Sequence, residues 1–223
     1  MKHVIFPMSA VALIIGLTAC NSNTKNIDQQ SGMNHDSMSM PMDSTAHNQT
    51  AISSSMDKMM TEMHQMQMSG NVDNDFAMMM KGHHQGAVDM AQAELQSGQD
   101  DMLKQMAQKI IDSQKAEMQM LDAFLADHSN PSKNYATEKK DQGFAKVMDK
   151  SMMMMDMPKM DANTSTDQQF VSMMIPHHQS AVYMAEGFIQ YGKDAKLLIM
   201  AKKMVTDQNK EIEEFKKWQN SSN

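Results

Sequence analysis

The sequence predicts an all-α protein, a four-helix bundle made from two duplicated helical hairpins. Three observations carry this. The segment Met79-Met80-Lys81-Gly82-His83-His84-Gln85-Gly86-Ala87-Val88-Asp89-Met90-Ala91 recurs 94 residues later as Met173-Met174-Ile175-Pro176-His177-His178-Gln179-Ser180-Ala181-Val182-Tyr183-Met184-Ala185. Around it, Phe76 to Leu121 aligns without a gap on Phe170 to Phe215. Only 5% of the 223 residues are aromatic and five are Pro, while Ala, Gln, Lys, Glu and Met, all good helix formers, dominate.

The elements follow in chain order. Residues 1–19 read as a lipoprotein signal peptide: Lys2 and His3, a short apolar run, then Leu17-Thr18-Ala19 before Cys20. Cys20, the only cysteine, is the expected lipidation site, and several buried acyl methylenes would anchor the chain to a membrane. A chance cysteine behind an ordinary signal peptide is the alternative. Residues 20–52 are polar and read as a disordered tether. Within it, Met33, His35, Met38, Met40 and Met42 form an auxiliary set, and the last three alternate so that an extended chain points their thioethers one way.

Repeat one spans 53–130 and repeat two 131–223, each a short Met-rich helix followed by a hairpin. Asp73, and Thr166 or Asp167, are the expected N-caps of the first hairpin helices. Gly98 and Gly192 are expected to stop them in the left-handed region, with Asp100 and Asp194 restarting the chain. Asn130-Pro131-Ser132 opens the linker between the repeats.

On a helical wheel His83 lies in the middle of an apolar stripe with Phe76, Met79, Met80, Ala87, Met90 and Glu94, and His84 lies at its edge, one turn beyond Met80. Gly82 and Pro176 occupy the same repeat position, so either the helix is distorted there or each His pair begins a new helix. The second hairpin helix turns Leu103, Met106, Ile110, Gln114, Glu117 and Leu121 inward. Glu117 and Glu211 are thus carboxylates on apolar faces, a costly placement unless paired. Their expected partner is the inward histidine, with Gln114 and Gln208 alongside in the same supporting layer.

Thioethers and imidazoles repeated on one face point to soft metal ions. Outside the cytosol a thiol oxidises or pairs, whereas a thioether binds Cu(I) without losing a proton, although it can itself oxidise. The candidate ligands are Met80 with His84 and Met174 with His178 as i,i+4 chelates. Met79, His83 and Met90, with Met173, His177 and Met184, form an inner set. Ordinary core packing by flexible Met is the competing reading. Met59, Met60, Met63, His64, Met66 and Met68 ahead of the first hairpin, and Met152 to Met155, Met157 and Met160 ahead of the second, read as poor core and as shallow exchangeable sites, or as a docking surface. The formal charge of −7 becomes −8 without residues 1–19, which disfavours nucleic acid.

The segments MMIPHHQSAVYMA and MMMKGHHQGAVDMA, each followed by a helix with Gln and Glu three apart, resemble the domain-of-unknown-function 305 family. The resemblance covers about residues 70–220 in two copies. It implies a secreted, double-His, ferritin-like four-helix bundle and, through Met-rich members, periplasmic copper binding and resistance. His83, His84, His177 and His178, with Met80, Met90, Met174 and Met184, carry over. Copy one departs from the usual pattern by having Lys81-Gly82 where Ile-Pro is expected.

The expected function is that of a bacterial envelope lipoprotein, lipid-anchored and facing the periplasm. It would bind and buffer copper, Cu(I) foremost and Cu(II) or Ag(I) besides, for tolerance or for delivery to an exporter or oxidase. The alternative is a ferritin-like copper-dependent metal oxidase. Di-iron bundles use Glu-x-x-His, which this chain lacks, and no catalytic residues are assigned. A third reading is a docking protein with adhesive Met-rich helices.

Overall fold

A computed structural model of the protein describes residues 50–155 and 163–222, within a unit spanning Thr45–Asn223. Cys20, the signal segment, the Met/His set of the tether, Met157 and Met160 lie outside the described residues.

The described residues form six α-helices and no strands, in two sets of three. Repeat one gives α1 (Ala51–Gln65), α2 (Val72–Ser97) and α3 (Asp101–Asp127). Repeat two gives α4 (Gly143–Met153), α5 (Thr166–Tyr191) and α6 (Ala195–Ser221). The hairpins α2–α3 and α5–α6 pack together through α2 and α5, while α1 lies on α2 and α4 on α5. Ala77, Ala87, Ala91, Ala181 and Ala185 are fully buried and let α2 and α5 approach closely. At one end of this seam Phe76 stacks on Phe188 with centroids 4.0 Å apart; toward the other end of α5, Phe170 meets Phe215 of α6 edge-on at 5.5 Å. All six residues expected on the inner face of α3 are buried.

The helix ends differ from expectation in an informative way. Asn71 and Ser165 are the N-caps of α2 and α5, Ser165 in a capping box with Gln168. Asp73 and Asp167 instead fall in the first turn and reach across to the other repeat. Asp73 Oδ1 accepts from the backbone N–H groups of Lys193 and Asp194, at 2.7 and 2.8 Å. Asp167 Oδ1 accepts from those of Gln99 and Asp100, both at 2.9 Å. Each hairpin turn is therefore held by a carboxylate from the opposite hairpin.

Gly98 and Gly192 are extended, with φ of −64° and −71°, not left-handed. Glycine is needed there for space, because a Cβ would overlap the Glu94 carboxyl at Gly98 and the Phe188 ring at Gly192. Asp100 and Asp194 do cap α3 and α6, each accepting from two backbone N–H groups. The indole of Trp218 donates to Asp100 at 2.9 Å, tying the end of α6 to the start of α3.

Neither Gly82 nor Pro176 begins a helix; both lie inside continuous helices, α2 and α5. The flanking Met clusters divide. Met59 and Met63 join Met56 in a buried stripe on α1, and Met155 is buried in repeat two beside Met148, whereas Met60, Met66, Met68, Met152 and Met154 are half-buried and His64 and Met153 exposed. A Cβ at Gly86 would overlap Met59, so this glycine opens the groove into which α1 settles. At the equivalent place in repeat two, Ser180 fills the space and donates to the Ser151 carbonyl at 2.8 Å. Helix α1 begins at Ala51, with Thr50 capping it and donating to Gln169 of α5 at 2.5 Å.

The linker is lashed to the start of α2. Gly70, at φ +83°, gives its carbonyl to the N–H groups of Asn134 and Tyr135. Buried Asp75 accepts from Ser69, the Gly70 N–H and the Tyr135 hydroxyl.

Candidate metal centre

The two His pairs come to the middle of the α2–α5 seam, and all four imidazoles are fully buried. His84 and His178 are thus not at an exposed edge: the second hairpin helix covers the side of α2 or α5 that a single wheel leaves open. The rings of His83 and His177 face each other at 3.7 Å between centroids, and His177 Nε2–H donates to the His83 carbonyl at 3.1 Å. The glutamates pair with the other histidine of each pair. His84 Nε2–H donates to Glu117 Oε2 at 2.8 Å, and His178 Nε2 stands 2.8 Å from Glu211 Oε2. The expectation that Glu meets the inward histidine is therefore corrected, because α3 and α6 pass beside His84 and His178 while His83 and His177 face the opposite hairpin.

These contacts fix tautomers. At His84 and His177, where the contact is a hydrogen bond, the carboxylate or carbonyl oxygen can only accept, so Nε2 carries the proton and Nδ1 the lone pair. The Nδ1 atoms of His83, His84, His177 and His178, together with Nε2 of His83 and of His178, are all buried with no hydrogen-bond partner among the described residues. Burial first, then the neighbouring imidazoles, holds His83 and His177 well below the usual imidazole range, so both are neutral at physiological pH. Met80, Met90, Met174 and Met184 are fully buried in the same core, and Met79 and Met173 nearly so.

Between α3 and α6 a polar groove of about 180 Å³ is lined by Gln114, Glu117, Gln208 and Glu211 with Met204. The groove gives solvent a way to the glutamates behind His84 and His178. The Oε1 atoms of Gln114 and Gln208 are buried and without a hydrogen-bond partner among the described residues. Among the described residues no three His, Cys, Asp or Glu side chains converge as a ready-made metal cage. What the buried core holds is imidazole and thioether, a donor set suited to a soft ion that accepts few ligands, not to a hard ion needing many oxygens.

Two acidic residues had no assigned role in the sequence. Asp75 is the hub of the linker lashing. Glu94, on the same stripe as His83 and Met90, is buried where repeat two has Phe188, and burial first, then Asp167, pushes its carboxyl up to about 8. The signal for the Asp73 and Asp167 clamps was present in the sequence: the two repeats keep Asp at equivalent positions.

Among curated proteins none matches this chain. Solved structures do. The chain is similar to CopM in its Cu(I)-bound form, at 26% identity and a TM-score of 0.52, over 67% of this chain and 96% of that one. CopM in its Cu(II)-bound form matches at 26% identity and a TM-score of 0.51, over 66% and 97%. A secreted DUF305 protein from Streptomyces coelicolor, 23% identical with a TM-score of 0.51 over 66% and 90%, shares the fold. With its duplicated His-His helices packed face to face, the chain belongs to the family described as a domain of unknown function (DUF305), whose model matches residues 18–123 and again 73–219.

Proposed function

We propose that the protein binds copper stoichiometrically, with Cu(I) the favoured state and Ag(I) an accepted substitute, at the buried His/Met core of its two repeats. The observation that carries this is the set of four buried, unpartnered imidazole Nδ1 atoms among buried thioethers. A buried unsatisfied polar atom costs about 1–3 kcal/mol, and four together are hard to retain unless a ligand uses them. Copper is cargo here. His83, His84, His177 and His178 supply neutral nitrogen, and Met80, Met90, Met174 and Met184 supply soft sulfur, with Met79 and Met173 adjoining. Glu117 holds the ε proton of His84 and so keeps its δ lone pair available, while Glu211 stands 2.8 Å from His178 Nε2. The solved copper and silver complexes of CopM, at 26% identity, support the same ion class.

The wider setting fits a tolerance or delivery role in the bacterial envelope. Cys20 would carry the lipid, and the Met33, His35, Met38, Met40 and Met42 set would collect ions on the tether. The natural partners would be a membrane, through the lipid, and a copper exporter or oxidase. No helix among the described residues is long and apolar enough to cross a membrane.

Anaerobic Cu(I) competition titration of wild type beside a variant with all four histidines replaced by Leu tests the reading. Wild type binds more than one equivalent and the variant loses the tightest of them. Equal binding by the two proteins refutes the proposal. Sustained oxygen consumption over many turnovers with Cu(I) or Fe(II) would favour the oxidase instead.

A further inference from the structure

The Met clusters before each hairpin are distant in sequence, yet α1 and α4 bring them to one surface. Between them opens a cavity of about 540 Å³, lined by Met60 and His64 from α1 and by Asp149, Met152 and Met153 from repeat two. A second cavity, of about 180 Å³, shares His64, Asp149 and Met152 with the first and is also lined by Met63, Met66 and Met79.

His64 is exposed, and its Nδ1–H donates to the Met60 carbonyl at 2.7 Å. The carbonyl can only accept, so His64 Nε2 carries a lone pair. Met60 and Met152 are half-buried and line the cavity. Asp57 and Asp149 give the rim negative charge, with Asp149 2.7 Å from Lys140. Inward, Gly82 leaves room for Met66 to lie against α2, and Met79 sits one turn before His83. Methionines therefore line the second cavity from the side of His64 to that of Met79, a residue of the same helix as His83.

We propose that His64 Nε2, Met60 and Met152 form a surface site for a soft monovalent cation, Cu(I) or Ag(I), and that it loads the core along Met63, Met66 and Met79. The loading role rests on the central reading above; the surface site does not. Imidazole and thioether at a solvent-facing cavity capture such an ion without proton release, and a continuing line of thioethers lets it exchange ligands without entering water.

The test uses the full chain labelled at the methionine methyls and titrated with Ag(I), comparing wild type with His64→Asn/Met152→Leu. In wild type the Met60 and Met152 methyl signals shift at the first additions, and those of Met90 and Met184 follow. The double variant loses the Met60 shift and one bound equivalent, and fills the Met90 and Met184 positions at least about tenfold more slowly. A Met60 methyl unmoved through saturation, or an unchanged stoichiometry in the variant, overturns the site. A lost equivalent with an unchanged filling rate upholds the site and overturns its loading role. Met60 shifting while Met90 and Met184 never move overturns the central reading and leaves the surface site standing. Since both substituted side chains are partly solvent-exposed, the variant retains the wild-type melting curve, and His64→Asn alone gives the same first-addition result.

Discussion

At the scale of single residues, the identity of the protonated nitrogen decides the chemistry. Glu117 and Glu211 each engage an ε nitrogen, so their effect on an ion is indirect. Replacing Glu117 by Leu leaves every proposed ligand in place but frees the ring and tautomer of His84. Cu(I) affinity at that repeat should fall about 10–100-fold, the usual scale for losing such a supporting contact, in an anaerobic competition titration. A wheel drawn on one helix put His83 and Met90 on the buried stripe, and both are buried. It could not show His84 buried or assign the glutamate, because both depend on a second helix crossing at that level. Glu94 was visible on the same stripe, but only its surroundings reveal that it holds a proton.

Among elements, the packing of α1 on α2 turns on a size match between Met59 and Gly86. Gly86→Ala should cost about 1–3 kcal/mol by overpacking, read from denaturant unfolding. Met59→Ala opens a cavity by itself, yet in combination it should recover part of the Gly86→Ala loss, a coupling of about 0.5–3 kcal/mol in a double-mutant cycle. Additive losses would show that α1 does not seat where the structure places it. The same physics explains why the glycine stops were misread. Glycine at a helix end serves either a left-handed backbone or a crowded one, and sequence alone does not separate them. The duplication, the hairpins and the core face of α3 were legible because periodicity reports them directly. The burial of the α1 methionines was not, since a Met-rich stripe looks alike as core or as metal surface.

Across the whole molecule, the two hairpins are joined by reciprocal carboxylate clamps and by a core with opposing pH demands. Asp73→Ala or Asp167→Ala each removes an acceptor for two backbone donors and should cost about 1–3 kcal/mol in urea unfolding. The folded pKa of Glu94 is raised to about 8, so the folded state keeps a proton that the unfolded chain releases near the ordinary carboxylate value. Its contribution is therefore greatest below that value and is lost as pH rises toward about 8, by at most about 1.4 kcal/mol per pH unit. His83 and His177 are depressed, so their contribution is present above the unfolded imidazole value, about 6.5, and is lost as pH falls below it. Glu94→Gln should flatten the alkaline limb of the stability curve between about pH 5 and 8 and leave the acid limb unchanged. Thermal melts across pH decide it, and an unchanged alkaline limb would show that Glu94 is ionised in the fold.

The central claim is that buried δ nitrogens bind the ion. The most direct test is the side-chain ¹⁵N spectrum of the four core histidines during Ag(I) titration of the full chain. The account predicts that Nδ1 of His83, His84, His177 and His178 moves on binding, while His84 Nε2 stays protonated on Glu117. Saturation with all four Nδ1 signals unmoved, and only methionine methyls shifted, would contradict it.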